Sequence, residues 1–362
     1  MNKGKISNPL DPTKPPENGG STCSPTFYGL FGLLDALGQD APDWLVIENV
    51  DELVTSRDEE VIDVLLAELA ARGFECFFML VNSCDWAVAQ SRRRAFVVGV
   101  SCIQPKAFTF DGEFDLEEMF EDLKNLIASA RMQADCLTRA LLPNDHPLVE
   151  AALAQWVERD VKGWDSNTLK THMNFWGNKG LRLGEKSVTE RTKASPWYRY
   201  LNARDKDALV AHQHLRRKEL LVMFGGDVSQ SVDRVPHTQE HPAGKKIVLM
   251  TVLPGGTIYL STLESEESDE VVVFERLLLG CEALAAGAFP IFHERYQPLL
   301  NKYSDRTLHT LGGNMFAGTV IGSILNGLIF KLPWRCEQQE RLATATDDAA
   351  FALDLLKSIT EV

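Results

Sequence analysis

Residues 74–101, FECFFMLVNSCDWAVAQSRRRAFVVGVS, constrain this chain more than any other stretch. Two apolar runs, 74–81 and 95–100, are too short for ordinary helices and rich enough in aromatic and β-branched residues to read as strands. The linker between them, about a dozen residues without a helical pattern, suits an antiparallel pair rather than a parallel crossover. Arg92, Arg93 and Arg94 stand where the chain leaves the linker for the second strand. A guanidinium resists burial unless it is paired, so this junction is either a solvated loop end or a built site. Upstream, Trp44-Leu45-Val46-Ile47-Glu48-Asn49-Val50 reads as a buried strand ending in a carboxylate and an amide. Ligands of open α/β sheets bind at the carboxyl ends of strands. The two polar strand ends are therefore expected to form one site.

The rest of the chain reads as alternating helices and strands. Phe27, Leu30, Phe31, Leu34 and Leu37 recur at helical spacing before Gly38, and Val61, Ile62, Leu65, Leu66 and Leu69 do so before Gly73, with Ser56 or Asp58 as the cap. Helices are also expected over 111–130, 147–159, 277–286, 316–330 and 347–359. Residues 163–260 read as irregular, with Trp164, Phe175, Trp176, Trp197, Tyr198 and Tyr200 among basic residues. The Gly225-Gly226 and Gly255-Gly256 pairs read as turns there, and His212 and His214 as surface residues. The expected organisation is a disordered leader (1–24), a partial α/β domain (25–160), an inserted lobe (161–270), a return to the α/β domain (271–335) and a C-terminal helix (336–362).

Charge separates the lobe from the body. The net charge is −14, yet residues 161–260 hold 16 Lys and Arg against 9 Asp and Glu. Residues 161–260 therefore carry +7 and the remainder −21, the pattern of a nucleic-acid-facing surface on an acidic body. No apolar run is long enough to span a bilayer, and the seven scattered cysteines, without a CxxC, fit a reducing compartment. An intracellular location is expected, nuclear in a eukaryote, with no membrane partner.

Four ordered stretches carry a resemblance. Glu48-Asn49-Val50 followed by a helix, and Gln90-Ser91-Arg92-Arg93-Arg94, are similar to the ENV and QxRxR motifs of the DNA cytosine-5 methyltransferases. Arg276 through Glu282 to Phe289-Pro290 resembles the family's RxLTxxE…GFP segment, and Gly313-Asn314-Met315-Phe316, read as opening an apolar helix, its last motif. The resemblance implies a doubly wound sheet of the S-adenosylmethionine methyltransferase type, present in part, with the basic lobe as an inserted, irregular target-recognition lobe. It also implies methyl transfer from S-adenosylmethionine to C5 of a flipped cytosine in double-stranded DNA. Glu48 matches the glutamate that assists at ring N3, and Arg94 and Arg92 match the arginines around the cytosine. Asn314 matches a residue closing the cofactor pocket, with Asn49 beside the glutamate. Arg276 and Glu282 match residues that brace the end of the lobe. Lys193, Arg216, Arg217 and Lys218 are the expected DNA contacts.

Three departures leave two readings open. Ala87-Val88-Ala89 stand where the family has a glycine and a proline. Neither the FxGxG strand of the cofactor site nor the Pro-Cys-Gln motif is found, so the chain alone is not expected to bind S-adenosylmethionine. Cys23, in GGSTCSP, is the one cysteine upstream of Glu48 that offers a nucleophile; the favoured reading is an unrelated residue of the leader. The chain is thus expected to be a truncated or divergent methyltransferase. The alternative is a catalytically inactive DNA-binding or scaffold module that pairs with a second chain. His237 and His241 have the spacing of a shared metal on a helix, but Pro236 and Pro242 flank them and no metal site is expected.

Overall fold

Phenylalanine, valine and alternating polarity make strands of both runs around the arginines, and the strand ending in Glu48-Asn49 joins them. The computed structural model describes residues 24–55, 60–103, 115–132, 137–157, 164–217, 223–234, 248–262 and 273–332. The chain divides into two units, one of residues up to 82, 93–130 and from 322 on, the other of 83–92 and 131–321. Cys23, Lys218, the His237/His241 pair, the caps at 56 and 58, the acidic stretch 264–270 and the helix expected at 347–359 lie outside the described residues.

The first unit holds α1 (Ser24–Leu37), β1 (Trp44–Val50), α2 (Glu52–Thr55), α3 (Glu60–Ala70), β2 (Phe74–Asn82), β3 (Arg93–Ser101) and α4 (Leu116–Ser129). Its sheet has the order β1-β3-β2, with β3 antiparallel to both neighbours. β1 and β2 therefore run the same way on either side of a strand that comes later in the chain. The pleat sorts the side chains into two faces. Leu45, Ile47, Phe74, Ala95 and Val97 pack with Phe27, Phe31 and Leu34 of α1 and Leu65 and Leu69 of α3. The opposite face carries Phe77, whose ring lies 4.9 Å from Phe120 of α4. Asp115 caps α4, accepting from the backbone N–H groups of Glu117 and Glu118. Residues 322–331, the end of a helix that begins at Gly318, reach α4, where Lys331 pairs with Asp122 at 2.7 Å. Arg72 ties α3 to α1: it bonds Asp35 at 2.7 Å while its guanidinium lies 4.7 Å from the centre of the Phe31 ring.

The second unit corrects the expectation of an irregular lobe. After α5 (Pro147–Val157) it builds α6 (Ser166–Asn178), α7 (Glu190–Ala194), α8 (Pro196–Arg199) and α9 (Ala203–Arg217). Then come β4 (Met223–Asp227), β5 (Ile258–Thr262), β6 (Glu275–Leu277), α10 (Gly280–Ala286), α11 (Gln297–Lys302), α12 (Asp305–Asn314) and the first turn, up to residue 321, of α13 (Gly318–Lys331). The three strands form an antiparallel sheet in the order β4-β5-β6. The periodicity of α6 and α9 is diluted by Lys, Arg and Asn, which hides it in the sequence. Gly225-Gly226 is not a turn but the middle of β4. A Cβ on Gly226 would lie 2.8 Å from the ring of His212, which is buried on α9 rather than at the surface. Of the lobe's aromatic residues, Trp176 and Trp197 are core, as a small unit with little else to bury requires.

Strand β6 takes residues 275–277, so the helix expected from 277 starts at Gly280. Gly313-Asn314 does not open the apolar helix: it ends α12, and α13 begins at Gly318. No single helix among the described residues is long and apolar enough to cross a membrane.

Candidate active site

At the end of β1, Glu48 stands opposite Phe96, and Val50 stands opposite Arg94. Residues directly opposite share a face, so Glu48 and Arg94 are diagonal neighbours on the face that also carries Phe77. Their side chains close the diagonal with an ion pair, Arg94 Nε to Glu48 Oε1 at 2.8 Å, both only about one-sixth exposed (16% and 17%). Arg94 also donates from Nη1 to the Arg93 carbonyl at 2.7 Å, which fixes the plane of the guanidinium. A second, more open pair, Arg93 to Asp51 at 3.3 Å, spans the same strand ends. Asn49 accepts from Val50 N–H through its amide oxygen at 2.8 Å and so stiffens the end of β1. The strand ends thus present a carboxylate and a forked donor side by side, a set that can take an amide-like edge of a flat ligand.

The linker 83–92 belongs to the second unit and is knitted into it. Ser83 latches its base. The Ser83 N–H donates to the Arg92 carbonyl at 3.0 Å, and its hydroxyl donates to the Gln90 carbonyl and accepts from the Arg92 N–H at 3.1 Å. Gln90 bridges in parallel to Leu249, with Ser91 N–H donating to the Leu249 carbonyl at 2.7 Å and Leu249 N–H to Ala89 at 2.8 Å. Thr319 Oγ1 donates to the Trp86 carbonyl at 2.6 Å. Arg92 is buried, and its Nη1 donates to the Gly313 carbonyl at the end of α12, 2.8 Å away. Gly313 has no room for a side chain, since a Cβ would lie 2.3 Å from Pro254 N.

Two alanines adopt a backbone that favours glycine. Ala87 has φ 59°, and Ala288, which precedes Phe289-Pro290 where the family has glycine, has φ 64°. A Cβ in this left-handed region crowds the following carbonyl and costs about 1 kcal/mol. The bend of the linker is held at Ala87, whose N–H donates to the Met132 carbonyl 3.0 Å away.

Within the second unit, Arg276 and Glu282 form a fully buried two-point pair at 2.8 and 2.7 Å. Glu282 also accepts from the N–H groups of Leu142 and Leu279, and Arg276 donates to the Leu142 carbonyl. Every charge there is answered, as burial demands. The pair joins the β6–α10 junction to the chain at residue 142.

The described cysteines are Cys76, Cys84, Cys102 and Cys281. Burial pushes every one of their thiols up, Cys76 and Cys281 to about 12. A nucleophilic cysteine needs the reverse shift. None of these is therefore activated. Asn314 is exposed at the end of α12. Lys193 is exposed and pairs with Glu190 at 2.6 Å, while Arg216 and Arg217 close α9. Lys170, Lys179, Arg182, Lys186, Arg191 and Arg199 of the same unit are exposed as well.

Sequence reasoning missed the Ser83 latch, the Asp51–Arg93 pair and a buried cluster in which His172 Nδ1 meets Asp207. The Trp176 indole donates to the same carboxylate at 3.0 Å. A hydroxyl one residue past a strand end is the only hint of Ser83 that the sequence offers.

Residues 30–193 match the family described as C-5 cytosine-specific DNA methylase. Over 59 residues the chain is 37% identical to the type II methyltransferase M.HgiBI of Herpetosiphon aurantiacus, covering 16% of this chain and 14% of that protein. It is 34% identical over 58 residues to M.FnuDI of Fusobacterium nucleatum, covering 16% and 17%. The matched stretch thus spans less than a fifth of these relatives' length. The crystal structure of the S. pombe Dnmt2 methyltransferase is similar with a TM-score of 0.40 and 13% identity, over 86% of this chain and 75% of that one. Through its residues 30–193, just under half of the chain, the protein is similar to the C-5 cytosine-specific DNA methylase family.

Proposed function

We propose that this chain carries the base-engaging and DNA-binding parts of a DNA cytosine-5 methyltransferase. The observation that supports this reading is the Glu48–Arg94 pair, a carboxylate and a guanidinium 2.8 Å apart at adjoining strand ends. A flipped cytosine presents O2, N3 and N4 along one edge. Arg94 donates to O2, and Glu48, once protonated, donates to N3 and makes C6 easier to attack. S-adenosylmethionine supplies the methyl group, with Asn314 and Asn49 as the residues that correspond to its site. The exposed lysines and arginines of the lobe hold the duplex through its phosphates. Titration with a duplex that carries one unpaired cytosine tests the reading: the chain should prefer it to the fully paired duplex, and Glu48→Gln should abolish that preference without loss of DNA binding. DNA binding unchanged between low and physiological salt would contradict the phosphate contacts.

A second reading, an inactive DNA-binding or scaffold module for a complete methyltransferase, is favoured by the four described thiols, all shifted away from reactivity. It expects salt-sensitive DNA binding with no transfer by the chain alone, and stimulation of an active partner.

A further inference from the structure

The second unit contains a cavity of about 180 Å³ that none of the family motifs accounts for. Trp156, Thr257, Leu277, Asp305, Arg306 and His309 are among its lining. His309, on α12, is 93% buried by its 7% exposure, and its Nε2 has no hydrogen-bond partner among the described residues. A buried polar nitrogen left unanswered costs free energy that folding has no reason to accept, unless something enters to answer it. Arg306 is exposed at the same cavity and forms no ion pair among the described residues. Asp305 already accepts from Gly280 N–H at 2.6 Å and is fixed in place.

We propose that this cavity binds a nucleobase. The volume equals that of about six liquid waters, enough for a ring system of about ten non-hydrogen atoms. The lining mixes an apolar side chain and an indole with an imidazole, a hydroxyl and a guanidinium. That combination matches a ligand with apolar faces and an edge of alternating donors and acceptors. His309 gives one donor or acceptor, according to its tautomer, and Arg306 gives donors to a ring carbonyl. Burial pushes the His309 imidazole down from its ordinary value, so it meets the base as a neutral ring. The base comes either from a free nucleoside or from a strand in which it is unpaired. The inference does not depend on methyl transfer.

Histidine-selective ¹⁵N labelling of the full chain gives a direct readout at His309. The four deoxynucleosides are titrated to about 10 mM, because a ligand of this size is expected to bind in the millimolar range or tighter. In parallel, a short single strand is compared with the same strand carrying an abasic position. At least one nucleoside, or the intact strand but not its abasic form, should shift the His309 resonance saturably. Arg306→Ala, at an exposed position that does not threaten folding, should weaken that binding by about fivefold or more. The proposal is overturned if no nucleoside and no strand moves the resonance, which leaves water as the only occupant. It is equally overturned if the abasic strand acts as well as the intact one, or if Arg306→Ala binds as the parent does.

Discussion

Arg94 meets Glu48 on the diagonal between two antiparallel strands, two residues along from the partner that the register sets opposite the carboxylate. Shifting either strand by one residue would turn the two side chains to opposite faces. The pair is therefore a consequence of register. A site that water still reaches can solvate an orphaned arginine in part. Glu48→Gln is accordingly expected to cost roughly 1–2 kcal/mol, less than the 3–5 kcal/mol of a sealed pair. A double-mutant cycle with Arg94→Gln, read by urea unfolding, should give a coupling of about 1 kcal/mol or more. Strict additivity would mean that the two groups do not sense each other.

The sealed case is available in the same chain for comparison. Arg276 and Glu282 are essentially inaccessible (2% and 0%). Glu282→Gln should cost about 3–5 kcal/mol and lower the unfolding midpoint well below that of Glu48→Gln. Equal losses at the two sites would refute the distinction drawn between them.

Ala87 and Ala288 both sit at positive φ. Replacement of either by glycine should stabilise the protein by about 0.5–1 kcal/mol, because relief of the Cβ clash exceeds the added entropy of the unfolded chain. Ala87→Val should do the opposite, since β-branching deepens the clash. Thermal melts of the three variants decide the matter; a destabilising glycine would mean that the bend is not held as described.

His309 fixes the sign of one pH effect. Its folded-state pKa lies below the ordinary value of 6.5 because burial disfavours the cation. Between the two values the unfolded chain binds more protons than the folded one, so stability rises with pH there. The folded state should thus lose stability as pH falls below about 6.5 and stop losing it once His309 itself protonates. The contribution is isolated as the difference between parent and His309→Gln unfolding across that range. A difference independent of pH would contradict the assignment.

Much of the first unit was legible because its strands are short, apolar and bounded by polar turns. Glu48 and Arg94 could be placed together from the antiparallel logic of three strands alone. The second unit was harder for a physical reason. Helices α6 and α9 interleave lysine, arginine and asparagine with few apolar residues, so their period is faint until Trp176 and Ala211 are seen packing with Val232. Gly225-Gly226 looked like a turn because the sequence cannot show that Leu249 and His212 press against that strand from outside. Gly313-Asn314 was read one helix too late, since nothing local marks the break before Gly318. The Ser83 latch depends on partners nine residues apart that only the fold brings into reach.

The order β1-β3-β2 has a consequence for the ribosome. The central strand is the last of the three to be made, about fifty residues after β1. At roughly 5–20 residues per second, β1 waits about 3–10 s and β2 about 1–4 s in the nascent chain before the strand that joins them is complete. During that interval their Trp-, Ile- and Phe-bearing backbones have no hydrogen-bonded neighbour in the sheet. Translation speed between codons 50 and 101 therefore governs how long a sticky, half-made sheet is open to other nascent chains, and slowing it there should lower the soluble yield more than slowing it anywhere later.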